Sequence, residues 1–267
     1  MEHQGSCPLT EVQIHGIAVW AVIGMAVATF LYLLRFTAPF GRHYTGAGWG
    51  PHISNRIGWV VMELPTTVLF ALIYFDGDAS RQWVPLVFLA MWQAHYLHRT
   101  FVFPFRTRTS GKKMPLTVVG SGVLFNTVNA YINARFVSHI GEYSADWLSD
   151  PRFLVGLAIF LAGMALNIRS DNILLKLRGS GEGEGEGEGE YKIPRGGAFR
   201  YVSCPNYLGE IIEWAGWALA TWSLAGFAFF LYTAANLAPR ALSHHAWYRA
   251  RFPDYPPNRK ALIPGIL

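Results

Sequence analysis

The chain has 267 residues, of which 52% are hydrophobic and only 15% charged, against roughly 25% charged in ordinary soluble domains. With a positive mean hydropathy, this composition excludes an ordinary soluble enzyme and a disordered tail protein. Two cysteines, Cys7 and Cys204, are too few for a disulfide framework or a thiolate metal site.

A helix needs about 20 apolar residues to cross a bilayer. Apolar runs predict spans at 14–36, 57–75, 83–105, 116–138 and 153–168. The apolar stretch 207–237 is too long for one upright helix. A split near 223–226 gives spans at 207–222 and about 225–245. The first span is not read as a cleavable signal peptide, because residues 1–13 carry no Lys or Arg and its apolar core is too long. The expected fold is an all-α integral membrane protein of seven transmembrane helices, in one domain over 1–267.

Orientation follows from the basic residues in the connections. Alternate connections hold 18 of the 22 Lys and Arg residues, while the N-terminal tail has none. That pattern puts the N-terminus outside or lumenal and the C-terminus in the cytosol. It also assigns the net charge of +5 to topology, and nucleic acid is not an expected partner. Residues 181–190 are five Gly-Glu repeats. Such sequence has no apolar face to bury and is expected to be a flexible cytosolic loop. No P-loop, H-E-x-x-H, G-x-S-x-G or complete G-x-G-x-x-G is present.

Ionisable residues inside spans are costly and are candidates for function. At 1.5 Å per residue, Glu63 lies about 9 Å in from the cytosolic side and Tyr96 about 13 Å. His95, His98 and Arg99 lie beside Tyr96. Asn126 and Asn129 fall near mid-depth, and Asn167, Arg169 and Asp171 at the inner end of the fifth span. Asn206, Glu210 and Glu213 open the sixth, and Arg240, His244 and His245 close the seventh. Polar groups of six spans thus share the cytosolic half. Each has a plainer reading. Glu63 precedes Pro65, which frees a backbone carbonyl. His95 and His98 could bond carbonyls. Glu210 and Glu213 could complement a helix N-terminus, Asp171 and Arg178 could be a surface pair, and Trp214, Trp217 and Trp222 could be packing or interfacial residues.

The spacing gives no metal site. A carboxyl taken out of water keeps its proton and can donate a hydrogen bond, as a tyrosine hydroxyl does. Two such donors on one carbonyl oxygen would stabilise the charge that develops when a conjugated ketone accepts hydride. The cytosolic Arg, Asn, Asp and Glu residues suit a phosphorylated cofactor.

Several segments resemble the steroid 5α-reductase (3-oxo-5α-steroid 4-dehydrogenase) family. They are Trp59-Val-Val-Met-Glu-Leu-Pro65, His95-Tyr-Leu-His-Arg-Thr-Phe101, Asn167-Ile-Arg-Ser-Asp171, and 191–203 running on through Asn206-Tyr-Leu-Gly-Glu-Ile-Ile-Glu-Trp-Ala-Gly-Trp217. Asp254-Tyr-Pro and Arg259-Lys-Ala-Leu-Ile-Pro264 follow in the same order. The resemblance implies NADPH-dependent reduction of the Δ4 double bond of a 3-oxo-Δ4-steroid, with hydride to C5 and a proton to C4. It implies that Glu63 and Tyr96 are catalytic and bond the C3 carbonyl. Arg99, Lys113, Asn167, Asp171, Arg178, Tyr191, Asn206, Glu210, Trp214, Arg240, His244 and Tyr248 would hold NADPH. Trp59, Met62, Phe125 and Tyr207 would wall the steroid pocket. Residues 1–138 would form the substrate half and 153–267 the NADPH half of a monomer, in the endoplasmic reticulum of a eukaryote or the inner membrane of a bacterium.

Met62 departs from the Gln that the family often has there, and Lys113 is matched only through a connection about two residues longer. Rival readings are a reductase of an enoyl-CoA or a sterol-ring double bond, an S-adenosylmethionine-dependent membrane methyltransferase, and a sterol-binding protein without catalysis. Ser203-Cys-Pro-Asn206 lacks the Arg-His-Pro of the methyltransferases.

Overall fold

The computed structural model describes residues 9–37, 50–107, 112–179 and 192–267, without the side chain of Arg178. The Gly-Glu repeats and Tyr191 lie outside these residues. Nine α-helical stretches gather into seven helical bodies among the described residues. The helix α1 is Glu11–Arg35. Helices α2 (Asn55–Leu64) and α3 (Phe70–Phe75) are joined by a π-helical turn, Pro65–Leu69. Likewise α4 (Trp83–Leu97) passes through His98–Val102 into α5 (Phe103–Arg106), and α6 (Leu116–Arg135) runs into a π turn at Phe136–Ile140. Then follow α7 (Pro151–Gly179), α8 (Pro205–Thr221) and α9 (Leu224–Arg251). Glu11–Arg35, Asn55–Phe75 and Pro151–Leu177 are long and apolar enough to cross a membrane. A short antiparallel ribbon pairs β1 (His52–Ser54) with β2 (Lys113–Pro115), Ile53 opposite Met114.

The fifth helix outruns its predicted end at residue 168, so Arg169 and Lys176 are helical instead of lying in a loop. Its polar end continues the helix because it packs along the start of α8. The division of the stretch 207–237 falls at Trp222, which takes a left-handed conformation (φ 46°). Such a residue ends a helix. Ser223 then caps α9 by accepting from the Gly226 amide at 2.8 Å. Loss of the helical hydrogen-bond ladder here is local, and the two helices pack against each other.

Helices α7 and α8 meet backbone to backbone. A Cβ on Gly156 or Gly163 would collide with the backbone of α8 around Ala220 and Glu213, and one on Gly209 or Gly216 with α7 at Asn167 and Phe160. Small residues at such a crossing let helices approach closely. The approach carries Asn167 up to the first turn of α8. Around this seam packs an aromatic core in which Phe88, Trp92, Trp214 and Trp217 are fully buried. Helix α1 is held differently. Thr10 and Gln13 form a reciprocal cap, and Val19 and Val22 pack on Ile132, Ala225 and Ala228. Much of its remaining apolar surface is exposed, including Ile17, Trp20 and Leu31.

Candidate active site

Pro65 cannot donate a backbone hydrogen bond, so the turn before it leaves carbonyls to be covered. Neighbouring side chains cover four carbonyls on either side of it. The Thr66 hydroxyl donates to the Glu63 carbonyl (2.6 Å) and the Asn126 amide to the Met62 carbonyl (2.7 Å). Trp92 and Gln93 donate to the carbonyls of Thr66 and Thr67 (2.7 and 2.9 Å). The Glu63 side chain is not among these covering groups. Its carboxyl accepts only from Asn126, at 3.3 Å, among the described residues.

Tyr96 is buried one helical body away. Its ring stacks on Trp214 (5.6 Å between centroids) and leans on Trp92 (4.9 Å). No hydrogen bond within the described residues occupies its hydroxyl, and Glu63 lies within electrostatic reach of it. A second π turn follows Tyr96 directly. The Thr100 hydroxyl on it meets Thr67 of the first turn at 2.8 Å. Two helices distorted beside two candidate catalytic residues are thus pinned to each other where π turns often mark function.

Arg99 sits on that second turn. Its guanidinium lies 3.5 Å from Asp171 and 3.6 Å from Glu210, and over the rings of Trp59 (4.8 Å) and Phe103 (4.7 Å). Asn206 donates to Asp171 (3.0 Å), and Asn167 donates to the Asn206 carbonyl (3.0 Å). Asp171 is buried in this cluster. Glu210 pairs across helices with Arg99, so it does more than complement its own helix end. Nearby, Tyr207 meets His244 at 3.1 Å and accepts from Arg240 at 3.4 Å.

Other expected residues have neighbours of their own. Lys113 is exposed on β2, paired in register with Ser54. Phe125 stacks on Tyr232 at 3.7 Å. Met62 lies against Gly122, where a Cβ would strike its side chain. Tyr248 is buried against Tyr255. The Arg178 side chain and Tyr191 fall outside the described residues.

Sequence reasoning passed over two buried partners. His95 bonds Glu213 at 2.8 Å, with both side chains buried, which replaces the expected carbonyl bond. The Glu-x-x-Glu spacing was visible, but nothing local linked Glu213 to a residue 118 positions away. Asn126 was seen only as a polar residue at mid-depth. The second oxygen of Glu213 and the Trp214 indole N–H are buried with no partner. The indole lies among the rings of Trp92, His95, Tyr96 and Phe229, and an orphaned buried donor there suits a flat ligand that carries a hydrogen-bond acceptor, as a nicotinamide does.

These features define a class, a helical membrane enzyme whose polar residues converge between its helices. Residues 112–267 match the family model described as 3-oxo-5-alpha-steroid 4-dehydrogenase, and the chain belongs to that family of steroid reductases. It is 45% identical over 251 residues to the steroid 5-alpha-reductase DET2 of Solanum lycopersicum, covering 93% of this chain and 95% of the relative. It is also similar to 3-oxo-5-alpha-steroid 4-dehydrogenase 1 of Bos taurus, with 43% identity over 91% of this chain and 93% of that one. The Homo sapiens protein of the same name is 41% identical, over 91% and 95%.

Proposed function

We propose that this protein reduces the Δ4 double bond of 3-oxo-Δ4-steroids with NADPH. Family membership supports the steroid substrate. The observation that carries the assignment to this site is a pair of groups free to donate, the Glu63 carboxyl and the Tyr96 hydroxyl, within electrostatic reach of each other on different helices. Reduction at C5 drives negative charge onto the C3 oxygen. Glu63 and Tyr96 donate to that oxygen, and fixed donors held away from water stabilise the growing charge without reorganising. The electron pair then returns from the C3 oxygen to reform the carbonyl as C4 takes a proton from water, which completes the 5α product.

NADPH, when bound, supplies the hydride. Arg99, Asn167, Asp171, Asn206, Glu210 and Trp214 would hold its nicotinamide end, and Arg178, Tyr191, Arg240, His244, Tyr248 and Lys113 the rest. Trp59, Met62, Phe125 and Tyr207 wall the steroid. The seven helical bodies are read as seven spans, with the N-terminus outside and the C-terminus cytosolic. The substrate half precedes residue 138 and the cofactor half follows residue 153. The protein works as a monomer in the endoplasmic reticulum or a bacterial inner membrane.

The test is turnover. Detergent-purified protein with NADPH and testosterone or progesterone should give the 5α-reduced product by mass spectrometry, and Tyr96→Phe should lose it. Glu63→Gln should abolish turnover and leave NADPH bound. Full activity in Glu63→Gln would remove this residue from the mechanism. Arg178→Ala should weaken NADPH more than NADH, because only the former carries a 2′-phosphate. Equal losses would reject that role.

A further inference from the structure

We infer that Asn126 is a positioning residue for Glu63, fixing which carboxyl oxygen carries the proton that meets the substrate carbonyl. The inference rests on the function proposed above. Asn126 is nine-tenths buried on α6, and its amide nitrogen makes two contacts. One is to the Met62 carbonyl at 2.7 Å and the other to Oε2 of Glu63 at 3.3 Å.

Amide nitrogen and oxygen are told apart only by their surroundings. Here the surroundings decide. A carbonyl oxygen can only accept, so the Asn126 atom 2.7 Å from it must be the NH2 group. That group has two hydrogens. One serves the Met62 carbonyl and the other points to Oε2 of Glu63. Oε2 is thereby an acceptor, and the carbonyl-type oxygen of a neutral carboxyl is the better one. The acid proton then sits on Oε1, the oxygen with no partner in the described residues.

The backbone contact locks the amide, and the amide locks the acid. This couples the π turn at Pro65 to the chemistry. The Met62 carbonyl, which Asn126 covers just before that turn, is the same group that sets the donor sense of Asn126. A side chain used merely to repair the helix would not need its second hydrogen aimed at Glu63.

The experiment combines kinetics with infrared spectroscopy on the full chain in detergent with NADPH and testosterone. Asn126→Leu keeps the branching and number of heavy atoms and removes both hydrogen bonds. Asn126→Asp is nearly isosteric and has at most one proton, so it cannot serve both acceptors. In both variants kcat should fall about 10- to 100-fold, since a misaligned donor costs on that scale, with KM changed by less than about threefold. The C=O stretch of the Glu63 acid, identified by its absence in Glu63→Gln, should move to higher frequency in Asn126→Leu as its hydrogen bond is lost. A purely structural role would lower thermal stability and leave both the band and kcat of the folded fraction in place, which would overturn the inference. If Asn126→Leu does not fold, the kcat and KM of Asn126→Asp decide by the same criteria. The two proposals fail separately. Full activity in Glu63→Gln removes the reading of the site and this inference with it. An inactive Glu63→Gln beside unaffected Asn126 variants overturns the Asn126 assignment alone.

Discussion

Helix α1 and the α7–α8 seam solve the same problem, burial of an apolar helix, in opposite ways. At the seam four glycines bring two backbones into contact, and the candidate cofactor residues Asn167 and Asn206 meet as a result. In α1 branched side chains such as Val19 and Val22 make the contact and much of the helix faces outward. A polar tie anchors it, with Arg135 bonded to Glu11 and also 3.2 Å from Asp76. Backbone contact fixes position to a fraction of an ångström, whereas side-chain contact can adjust. The part of the bundle that must place polar groups uses the first.

The sharpest way to break this comparison is Gly163→Val. The added atoms meet backbone, which cannot rotate away, and overpacking of this kind costs about 1–3 kcal/mol or more. Because Asn167 lies one turn on, loss of NADPH binding should accompany loss of the folded peak in size exclusion. Survival of both would mean that the seam is looser than its geometry. Next comes Glu213→Ala, which leaves His95 without its buried partner. Removing one member of a buried pair costs about 3–5 kcal/mol, partly offset if His95 becomes neutral, so a lower thermal midpoint is expected.

A smaller effect is expected at Trp217→Phe. It removes the 2.9 Å bond from the indole to Asn133, worth about 1 kcal/mol in a typical case, and a lowered thermal midpoint would report it. Ile17→Ala on exposed α1 should stay within about 0.5 kcal/mol; a larger drop would show that this face is covered.

The smallest is a pH effect outside the spans. The Arg152 guanidinium bonded beside Asp150 holds that carboxyl down at about 2. A depressed acid adds stability above its ordinary value, near 4, and loses it as pH falls toward 2. Asp150→Asn should therefore flatten the thermal midpoint over that interval, lying below the unmutated protein near neutrality and meeting it near pH 2.

The long apolar runs were legible because hydrophobicity is a local signal, and the candidate residues Glu63 and Tyr96 stood out because charge and hydroxyl groups are conspicuous among Leu, Val and Phe. The division near residue 223 was legible too, since 31 apolar-rich residues exceed one bilayer crossing. What could not be read were partnerships. Asp171 meets Arg99, 72 positions away, and no local pattern links the two. His95 was given a carbonyl and found Glu213. Asn126 differed from Asn129 in nothing the sequence displays, and only the approach of α2 to α6 separates their roles. Choices of this kind depend on which helix faces cross, and hydropathy is silent about that.

The π turn at Pro65–Leu69 has a consequence for the phase of its helix. A π turn closes its hydrogen bonds one residue further on than an α turn, so it fits one extra residue into a single revolution. The halves on either side therefore keep the phase of an unbroken α-helix. Deleting one residue between Pro65 and Leu69 would let the turn relax to α geometry, with Phe70 and Tyr74 still in the core and Glu63 still on the same face. In a regular α-helix the same deletion would rotate one half against the other by about 100°. The extra residue of the turn is what absorbs it.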